Sequence, residues 1–278
     1  MPELPEVETI RRVLEPQLVG RRVTSVSLLN ARVIAYPDRD NFIKMFSGQV
    51  VQKMSRRGKY LTIRFESGDR LAVHLRMTGQ LLVTPGDYEM EKHTHLIAGL
   101  SDGNQLRYID VRRFGRFWYL KKDEADSVTG QEKLGLEPDD DNLTALYLKS
   151  RLCKRKKSIK EMLLDQTFIA GIGNIYSDEI LYEAGIYPGA KGGELSDEDI
   201  ARLAKVIPKV ISFEISANET TEQEYLAGKG QEYRNTPYLK AYGHAGRQCP
   251  VCGEIFKKIK IAGRGSCYCP GCQRKRNR

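Results

Sequence analysis

The amino-terminal residues include a group that can carry out covalent chemistry. Positions 1–6 read MPELPE. If Met1 is removed, Pro2 becomes a terminal secondary amine, which attacks a sugar aldehyde to form a charged iminium, and that cation is an electron sink. Glu3 and Glu6 lie close enough for one carboxylate to transfer protons while another orients the amine. Most chain termini are inert and poorly ordered, so this prediction depends on whether the rest of the chain positions the hexapeptide.

Cysteines near the other end form the strongest metal-binding pattern. Two Cys-x2-Cys pairs are separated by sixteen residues, and four thiolates at this spacing can close a tetrahedral zinc site. Cys153 and Cys267 fall outside the pattern, and we interpret them as ordinary thiols. We therefore predict one structural Zn2+ ion, and its ligands are Cys249, Cys252, Cys269 and Cys272.

The residues between the two pairs predict a basic β-hairpin. Lys258 and Lys260 alternate with Ile259 and Ile261, which gives a strand one basic and one apolar face. The Gly-Arg-Gly tip at 263–265 permits a tight turn that projects an arginine outward. Spacing alone is equally compatible with a zinc site that only holds the tail, but the basic face favours a nucleic acid partner.

Composition is typical of a soluble globular protein with a polyanionic partner. The chain has 278 residues, a mean hydropathy of -0.48, a net charge of +9 and a pI near 9.2. No run approaches the roughly 18 apolar residues of a membrane span, and the acidic start lacks the apolar core of a secretory signal. We therefore expect a cytoplasmic, nucleoid-associated protein without a membrane partner.

The charge is segregated: residues 244–278 carry nine Lys or Arg and one acidic residue, whereas 123–144 carries eight acidic residues and one lysine.

The periodicity of the first part predicts one helix followed by many strands. Val7, Ile10, Leu14 and Leu18 recur at helical spacing over 6–18. From residue 22 onward, short β-rich runs separated by turn signals predict an antiparallel sandwich or barrel. The predicted strands are 22–29, 60–65, 71–75, 80–83, 96–100, 105–109 and 116–120.

The second part is predicted to be helical. Asp141 or Asn142 can cap a helix to about residue 151, and a Ser-x-x-Glu capping box at 158–161 opens another. Glycines then interrupt the apolar pattern before a further helix begins, a third helix spans 197–214, and 218–245 is polar and partly mobile. The predicted fold class is α+β: an N-terminal antiparallel β-sandwich with an N-terminal helix, a helical domain with a helix-two-turn-helix, and a C-terminal β-hairpin zinc finger. The predicted boundaries are 1–122 for the sandwich, 123–140 for an acidic connection, 141–243 for the helical domain with its mobile loop, and 244–278 for the finger.

Several loops place cations and aromatic residues where a nucleic acid can reach them. Asn174 begins a helix directly after a Gly-x-Gly turn, so its side chain and the backbone N–H groups can hold a phosphate. The upstream run 151–157 has five basic residues in seven. Two further basic clusters, 56–59 and 112–113, flank predicted strands. Phe114 and Met77, each taken alone, would more often be core residues.

Together these motifs resemble the formamidopyrimidine-DNA glycosylase family of bifunctional base-excision repair enzymes. The resemblance covers nearly the whole chain. It rests on the four final cysteines and on the runs PELPE at 2–6, RGKYL at 57–61, HLRMTG at 74–79, RRFG at 112–115 and AGIGNIY at 170–176.

The resemblance implies a division of roles. Pro2 would be the nucleophile at C1′ of a damaged nucleotide, Glu3 the principal acid and base, Glu6 a supporting carboxylate and Lys59 an aid to strand cleavage.

Met77, Arg112 and Phe114 would fill the gap that an everted base leaves. Asn174 and Arg264 would pinch the backbone phosphate at the site of reaction, and the further DNA contacts would be His74, His93, Arg155, Tyr242 and Lys258. The implied enzyme is a monomer on double-stranded damaged DNA that removes oxidised purines, 8-oxoguanine and formamidopyrimidines, with β- and δ-elimination.

The chain departs from the family pattern in three places, and two alternatives stay open. Val111 replaces the usual proline, His244 replaces a common arginine, and 215–245 lacks the Gly-Gly-Thr-type turn. A sister endonuclease VIII type acting on oxidised pyrimidines is disfavoured by Leu4 in place of glycine and by the GNIY form of 173–176. A non-catalytic binder of damaged DNA is disfavoured by the intact catalytic residues.

Overall fold

The chain divides into two compact units, Met1–Glu132 with Asn218–Arg234, and Lys133–Ala217 with Asn235–Arg278. The computed structural model describes residues 2–231 and 233–275. Met1, whose removal the amine chemistry requires, and residues 276–278 of the predicted finger lie outside the described residues.

The helices and strands follow the chain in this order. The α-helices are α1 (Leu4–Leu18), α2 (Arg39–Phe46), α3 (Ala145–Leu152), α4 (Ile159–Leu164), α5 (Asn174–Glu183), α6 (Asp197–Ala217) and α7 (Glu222–Ala227). The strands are β1 (Val23–Leu28), β2 (Ile34–Tyr36), β3 (Val51–Arg57), β4 (Tyr60–Phe65), β5 (Arg70–His74), β6 (Gly79–Thr84), β7 (Thr94–Leu100), β8 (Gln105–Asp110), β9 (Arg116–Leu120), β10 (Lys257–Ile261) and β11 (Arg264–Tyr268).

Two sheets form the β-sandwich of the first unit, as the strand pattern predicts. One sheet has the order β1-β7-β8-β6 and the other the order β2-β9-β5-β4-β3. Their pairings are antiparallel except for β2 with β9. Side chains such as Leu61, Val73, Leu96 and Phe117 fill one apolar core, which also takes the buried side of α1.

Helix α1 holds the amino terminus against this core. Val7, Ile10 and Leu14 are almost completely buried, because apolar residues three or four apart share one face of a helix. The helix begins at Leu4, earlier than the predicted residue 6, because Glu3 acts as the N-cap and a proline occupies the first turn. Its first turn is therefore a fixed platform for Pro2.

The second unit contains helices α3 to α6 and the hairpin β10–β11. The predicted capping box of α4 is present, since Ser158 accepts the Glu161 N–H and the Glu161 side chain accepts the Ser158 N–H at 2.9 Å. The predicted cap of the preceding helix is wrong: Thr144 caps α3 by accepting the Tyr147 N–H at 3.2 Å. Asp140 instead uses its carboxylate to hold Asn142 in a turn.

Residues 218–234 differ from the predicted domain boundaries. The predicted helical domain, 141–243, includes them, whereas they cluster with the first unit. The physical reason is Tyr225 on α7, which joins the sandwich core and donates its hydroxyl to the Leu81 carbonyl on β6 at 3.0 Å. Among the described residues, no helix combines the length and the apolar character that crossing a membrane requires.

Candidate DNA-processing site and zinc centre

The two carboxylates nearest Pro2 form the capping box of α1. The Glu3 side chain accepts the Glu6 N–H, and the Glu6 side chain accepts the Glu3 N–H at 2.8 Å. Both residues are buried, and the positive end of the helix dipole stabilises negative charge there. The same hydrogen bonds that begin the helix therefore fix both predicted acid–base groups beside the predicted nucleophile.

Pro2 opens onto a small cavity in the first unit. Its volume is about 230 Å3, which suits a single small ring system rather than a drug-sized ligand. The lining comes from the amino terminus, the start of β6 and the end of residues 218–234. The lining residues are Pro2, Met77, Thr78, Gly79, Gln80, Val111, Gly230, Gln231 and Tyr233.

Lys59 occupies the tight turn between β3 and β4. Gly58 has φ +54°, which a residue without a side chain adopts at little cost, and Lys59 is nearly buried. Arg56 supports this turn by donating to the Gly58 carbonyl at 3.1 Å and to the Glu8 carboxylate at 3.3 Å. Burial opposes ionisation of Glu8, but hydrogen bonds from two arginines lower its pKa overall. Sequence reasoning missed Glu8 and identified Arg56 only as one cation of the basic cluster 56–59.

The three predicted gap-filling side chains lie together on the surface of the first unit. Met77 and Phe114 are large apolar residues that remain 42% and 47% exposed. Arg112 joins them: its Nη1 lies 2.8 Å from the Met77 Sδ, and its Cζ lies 4.7 Å from the centre of the Phe114 ring. Because Met77 and Phe114 are exposed and Arg112 contacts both, these side chains can insert between stacked bases, which side chains buried in the core cannot do.

A buried carboxylate that the sequence did not reveal holds the two loops that carry these side chains. Asp110 accepts hydrogen bonds from the Thr78 hydroxyl, from the Tyr108 hydroxyl at 2.9 Å and from the backbone N–H groups of Arg112 and Gly115 at 3.1 and 2.9 Å. Burial opposes its ionisation, yet these donors lower the pKa of Asp110 overall. Gly115 is required here because a Cβ would lie 1.7 Å from the Tyr108 hydroxyl oxygen.

The two predicted histidine contacts lie at strand ends of the first unit. His74 ends β5 and accepts the Arg76 N–H through Nδ1 at 3.0 Å. Burial, reinforced by the charges of Arg76 and Lys59, lowers the pKa of His74 to about 3, so its ring is neutral at physiological pH. His93 lies just before β7 with φ +77°, and its carbonyl accepts the Asp110 N–H at 3.1 Å.

In the second unit, helix α5 positions two of the predicted phosphate contacts. Asn174 is its first residue, and the preceding Gly173 has no side chain to cap the helix. Asp178, one turn further along α5, accepts the Ser266 hydroxyl at 2.7 Å and the Cys267 N–H at 2.9 Å. Both donors are on β11, the strand that begins with the exposed Arg264. One helix thus carries Asn174 and fixes the strand of Arg264.

The next residue of α5 anchors a third predicted contact. Glu179 accepts the backbone N–H groups of Lys240, Ala241 and Tyr242 at 2.7 to 2.9 Å. Glu179 is buried, which raises its pKa. Sequence reasoning missed Asp178 and Glu179, although acidic residues in the middle of an apolar helix are a usable signal. Arg155 and Lys258 are exposed on the same unit.

The four predicted zinc ligands converge in the second unit. Their sulfur atoms all lie within 4.8 Å of one another. The pairs Cys249–Cys272 and Cys252–Cys269 are 3.7 and 3.3 Å apart, close to the roughly 3.8 Å edge of a tetrahedron with 2.3 Å Zn–S bonds. Tyr182 places its hydroxyl 3.2 Å from the Cys249 Sγ, as a hydrogen-bond partner outside the ligand shell. The donor set fits one structural zinc ion, as predicted.

Three family models match the chain in succession. The formamidopyrimidine-DNA glycosylase N-terminal domain matches residues 1–117, and the H2TH domain of the same glycosylase matches 134–225. A zinc finger found in FPG and IleRS matches 246–274.

Curated relatives and solved structures match over almost the full chain. Formamidopyrimidine-DNA glycosylases of Desulforamulus reducens and Pelotomaculum thermopropionicum are 45% and 43% identical, and each match covers 99% of both chains. A Lactococcus lactis Fpg in complex with Fapy-dG-containing DNA superposes with a TM-score of 0.90 at 36% identity, over 98% of this chain and 100% of that one. The same enzyme bound to abasic-site DNA gives the same TM-score and coverage. With three family models matched in order and relatives at 43–45% identity over 99% of the chain, the chain belongs to the formamidopyrimidine-DNA glycosylase family.

Proposed function

We propose that this chain is a DNA glycosylase and AP lyase of base-excision repair that removes oxidised purines. One observation carries the proposal: Pro2 lines a base-sized cavity while Glu3 and Glu6 are buried beside it in one capping box. A relative supports the substrate class, since the Lactococcus lactis Fpg was crystallised with Fapy-dG-containing and abasic DNA.

The proposed reaction begins with the amine of Pro2, exposed by removal of Met1. Its nitrogen bonds to C1′ of the damaged nucleotide and loses its proton. The glycosidic bond between C1′ and the base breaks, and the base leaves with the electron pair and takes up a proton. Glu3 protonates the sugar ring oxygen as the ring opens to an iminium, and Glu6 keeps Glu3 in place. The iminium withdraws electrons from C2′.

Strand cleavage follows from that electron withdrawal. Loss of a proton from C2′ expels the 3′ phosphate in the β-elimination, and loss of a proton from C4′ expels the 5′ phosphate in the δ-elimination. Lys59 assists these steps from the β3–β4 turn. Water finally hydrolyses the iminium and frees Pro2.

The other predicted residues hold the DNA in the geometry that this chemistry needs. Met77, Arg112 and Phe114 replace the everted base in the stack. Asn174 and Arg264 grip the backbone phosphate near the reacting sugar. Further contacts come from His74, His93, Arg155, Tyr242 and Lys258. We infer that the chain acts as a monomer on DNA in the cytoplasm, associated with the nucleoid, because one chain supplies every group in this scheme.

Excision and trapping assays test the proposal together. Duplexes carrying 8-oxoguanine, a formamidopyrimidine, thymine glycol or an abasic site would be incubated with the zinc-loaded protein, with and without borohydride. We expect base release and a covalent adduct, with 8-oxoguanine processed faster than thymine glycol. Faster excision of thymine glycol would favour the pyrimidine-specific alternative. DNA binding without cleavage or trapping would favour a non-catalytic binder.

A further inference from the structure

Residues 218–234, which we call the cap segment, are fixed to the first unit at their base. Asn218 is almost completely buried, and its Oδ1 accepts the backbone N–H of Arg234 at 2.8 Å. Its Nδ2 donates to the Thr9 hydroxyl on α1 at 3.0 Å. One amide therefore joins the two ends of the cap segment to each other and to the helix that carries Glu6.

The middle and the tip of the cap segment have anchors of their own. Tyr225 is buried in the sandwich core and bonds to β6, as described above. The Lys229 ammonium lies 2.6 Å from the Glu91 carboxylate. Two ion pairs at the surface add to these, Arg12 with Glu219 at 3.0 Å and Arg234 with Glu224. Among its described residues, the cap segment is thus attached to the rest of the first unit at its base, through Tyr225 and at Lys229, while the Arg234–Glu224 pair is internal to it.

This attachment places an aromatic residue at the wall of the catalytic cavity. Tyr233 precedes the residue that Asn218 holds, and it lines the cavity together with Pro2 and Gln80. Burial, and to a smaller extent the nearby Glu6 carboxylate, raise the pKa of Tyr233, so the phenol is a protonated donor throughout the neutral range. The ring therefore forms part of the wall of the cavity onto which Pro2 opens.

We propose that Tyr233 is the residue by which this chain selects a planar base, and that Asn218 is the positioning residue that keeps it at the cavity wall. The proposal rests on the proposed function and deepens it, because it names a group that recognises the base. A flat aromatic ring contacts the whole face of an oxidised purine, whereas thymine glycol has a saturated, puckered ring that it cannot cover.

The test compares substrates that do and do not carry a base. Rates would be measured for wild type, Tyr233→Phe, Tyr233→Leu and Asn218→Ala on 8-oxoguanine, thymine glycol and abasic duplexes. Tyr238→Ala serves as the matched control, because Tyr238 is 55% exposed and lies outside the cap segment. Abasic DNA has no base for Tyr233 to contact, so it isolates the lyase chemistry of Pro2.

We expect Tyr233→Leu to lower the ratio of kcat/KM on 8-oxoguanine DNA to that on abasic DNA by about 5- to 150-fold, the range for loss of one base–aromatic stack. The preference for 8-oxoguanine over thymine glycol should fall with it, while Tyr233→Phe retains most of both ratios. Asn218→Ala should raise KM for 8-oxoguanine DNA more than it lowers kcat. The cap segment loses the hydrogen bonds that join its two ends to each other and to α1, but the reacting groups stay in place.

Two outcomes would overturn the inference. One is an equal fall in kcat/KM on 8-oxoguanine and abasic DNA for Tyr233→Leu, and the other is an unchanged kcat/KM on both. Failure of the proposed function looks different, because the wild-type protein would then neither cleave nor be trapped on abasic DNA.

Discussion

The buried ion pair between Lys160 and Asp178 gives the sharpest prediction about how the second unit is held together. Their charged atoms lie 2.6 Å apart, and the two side chains are 0% and 1% exposed. Asp178→Ala removes the carboxylate that pairs with this buried ammonium, and it removes the acceptor of the Ser266 hydroxyl and the Cys267 N–H.

The expected cost follows from that geometry. Breaking a buried pair by removing one partner costs about 3–5 kcal/mol, and each buried donor that loses its acceptor adds to the cost. The matched control is Lys149→Ala, since the Lys149–Asp197 pair has a similar distance of 2.8 Å but is 53% and 69% exposed. Exposed pairs contribute about 0–1 kcal/mol.

Amide hydrogen exchange of β10 and β11, followed on the zinc-loaded protein by mass spectrometry, measures this local stability directly. A cost of about 3 kcal/mol corresponds to exchange more than about a hundredfold faster in Asp178→Ala, with little change in Lys149→Ala. Combining Lys160→Met with Asp178→Ala removes the buried ammonium together with the carboxylate and should recover part of the protection. Equal exchange in Asp178→Ala and Lys149→Ala would refute the reasoning.

Three further predictions address the zinc centre and the first unit. Elemental analysis should find one zinc ion per chain. The zinc should be lost in Cys252→Ser but retained in Cys153→Ser, because the Cys153 thiol lies outside the cluster. Zinc retention in both variants would contradict the assignment. His74 is neutral in the folded chain down to about pH 3, whereas in the unfolded chain it binds a proton near pH 6.5. The unfolded state therefore binds more protons below pH 6.5, and the free energy of unfolding should fall by up to about 1.4 kcal/mol for each pH unit below that value. Urea unfolding at pH 7 and pH 5 should show that His74→Asn lacks this part of the loss; an identical loss in both proteins would argue against it. Asp110→Ala should lower the free energy of unfolding by about 3 kcal/mol or more, because several buried donors lose one acceptor, and a change below about 1 kcal/mol would show that the loops do not depend on it.

Elements with a strong local pattern were predicted from the sequence. Helix α1, the capping box of α4, the turn before Asn174 and the cysteine cluster each depend on residues close together in the chain. Spacing and capping chemistry act over a few residues, so they can be recognised without knowing the fold.

Elements whose form depends on distant partners were missed. The edge strand β3 carries Lys53, Arg56 and Arg57, and so resembles a solvated basic run rather than a strand. Helix α2 and strand β2 have only eight and three residues, which is too short for a clear period. Pairing with neighbouring strands turns β2 and β3 into regular structure. Helix α2 depends on its Asp38 cap and on the burial of Phe42 and Phe46.

The supporting side chains of the site were missed for the same reason. Asp110 looks like an ordinary surface acid in the sequence, and the apolar neighbours of Asp178 and Glu179 signal burial but not their partners; each of the three is buried and accepts several hydrogen bonds. Two of the donors to Asp178 are 88 and 89 residues away in the chain, a separation that no local pattern encodes. The cap segment behaves likewise, because Asn218 meets Thr9 across 209 residues.

The identity of the nucleophile is the central claim, and mapping the trapped adduct tests it most directly. The zinc-loaded protein would be reduced with borohydride on an abasic duplex, digested and analysed by mass spectrometry. We predict that Met1 is absent and that the sugar remnant is on the nitrogen of Pro2, and that an amino-terminal extension abolishes trapping. An adduct on Lys59 or another lysine, or undiminished trapping by the extended chain, would contradict the role of Pro2.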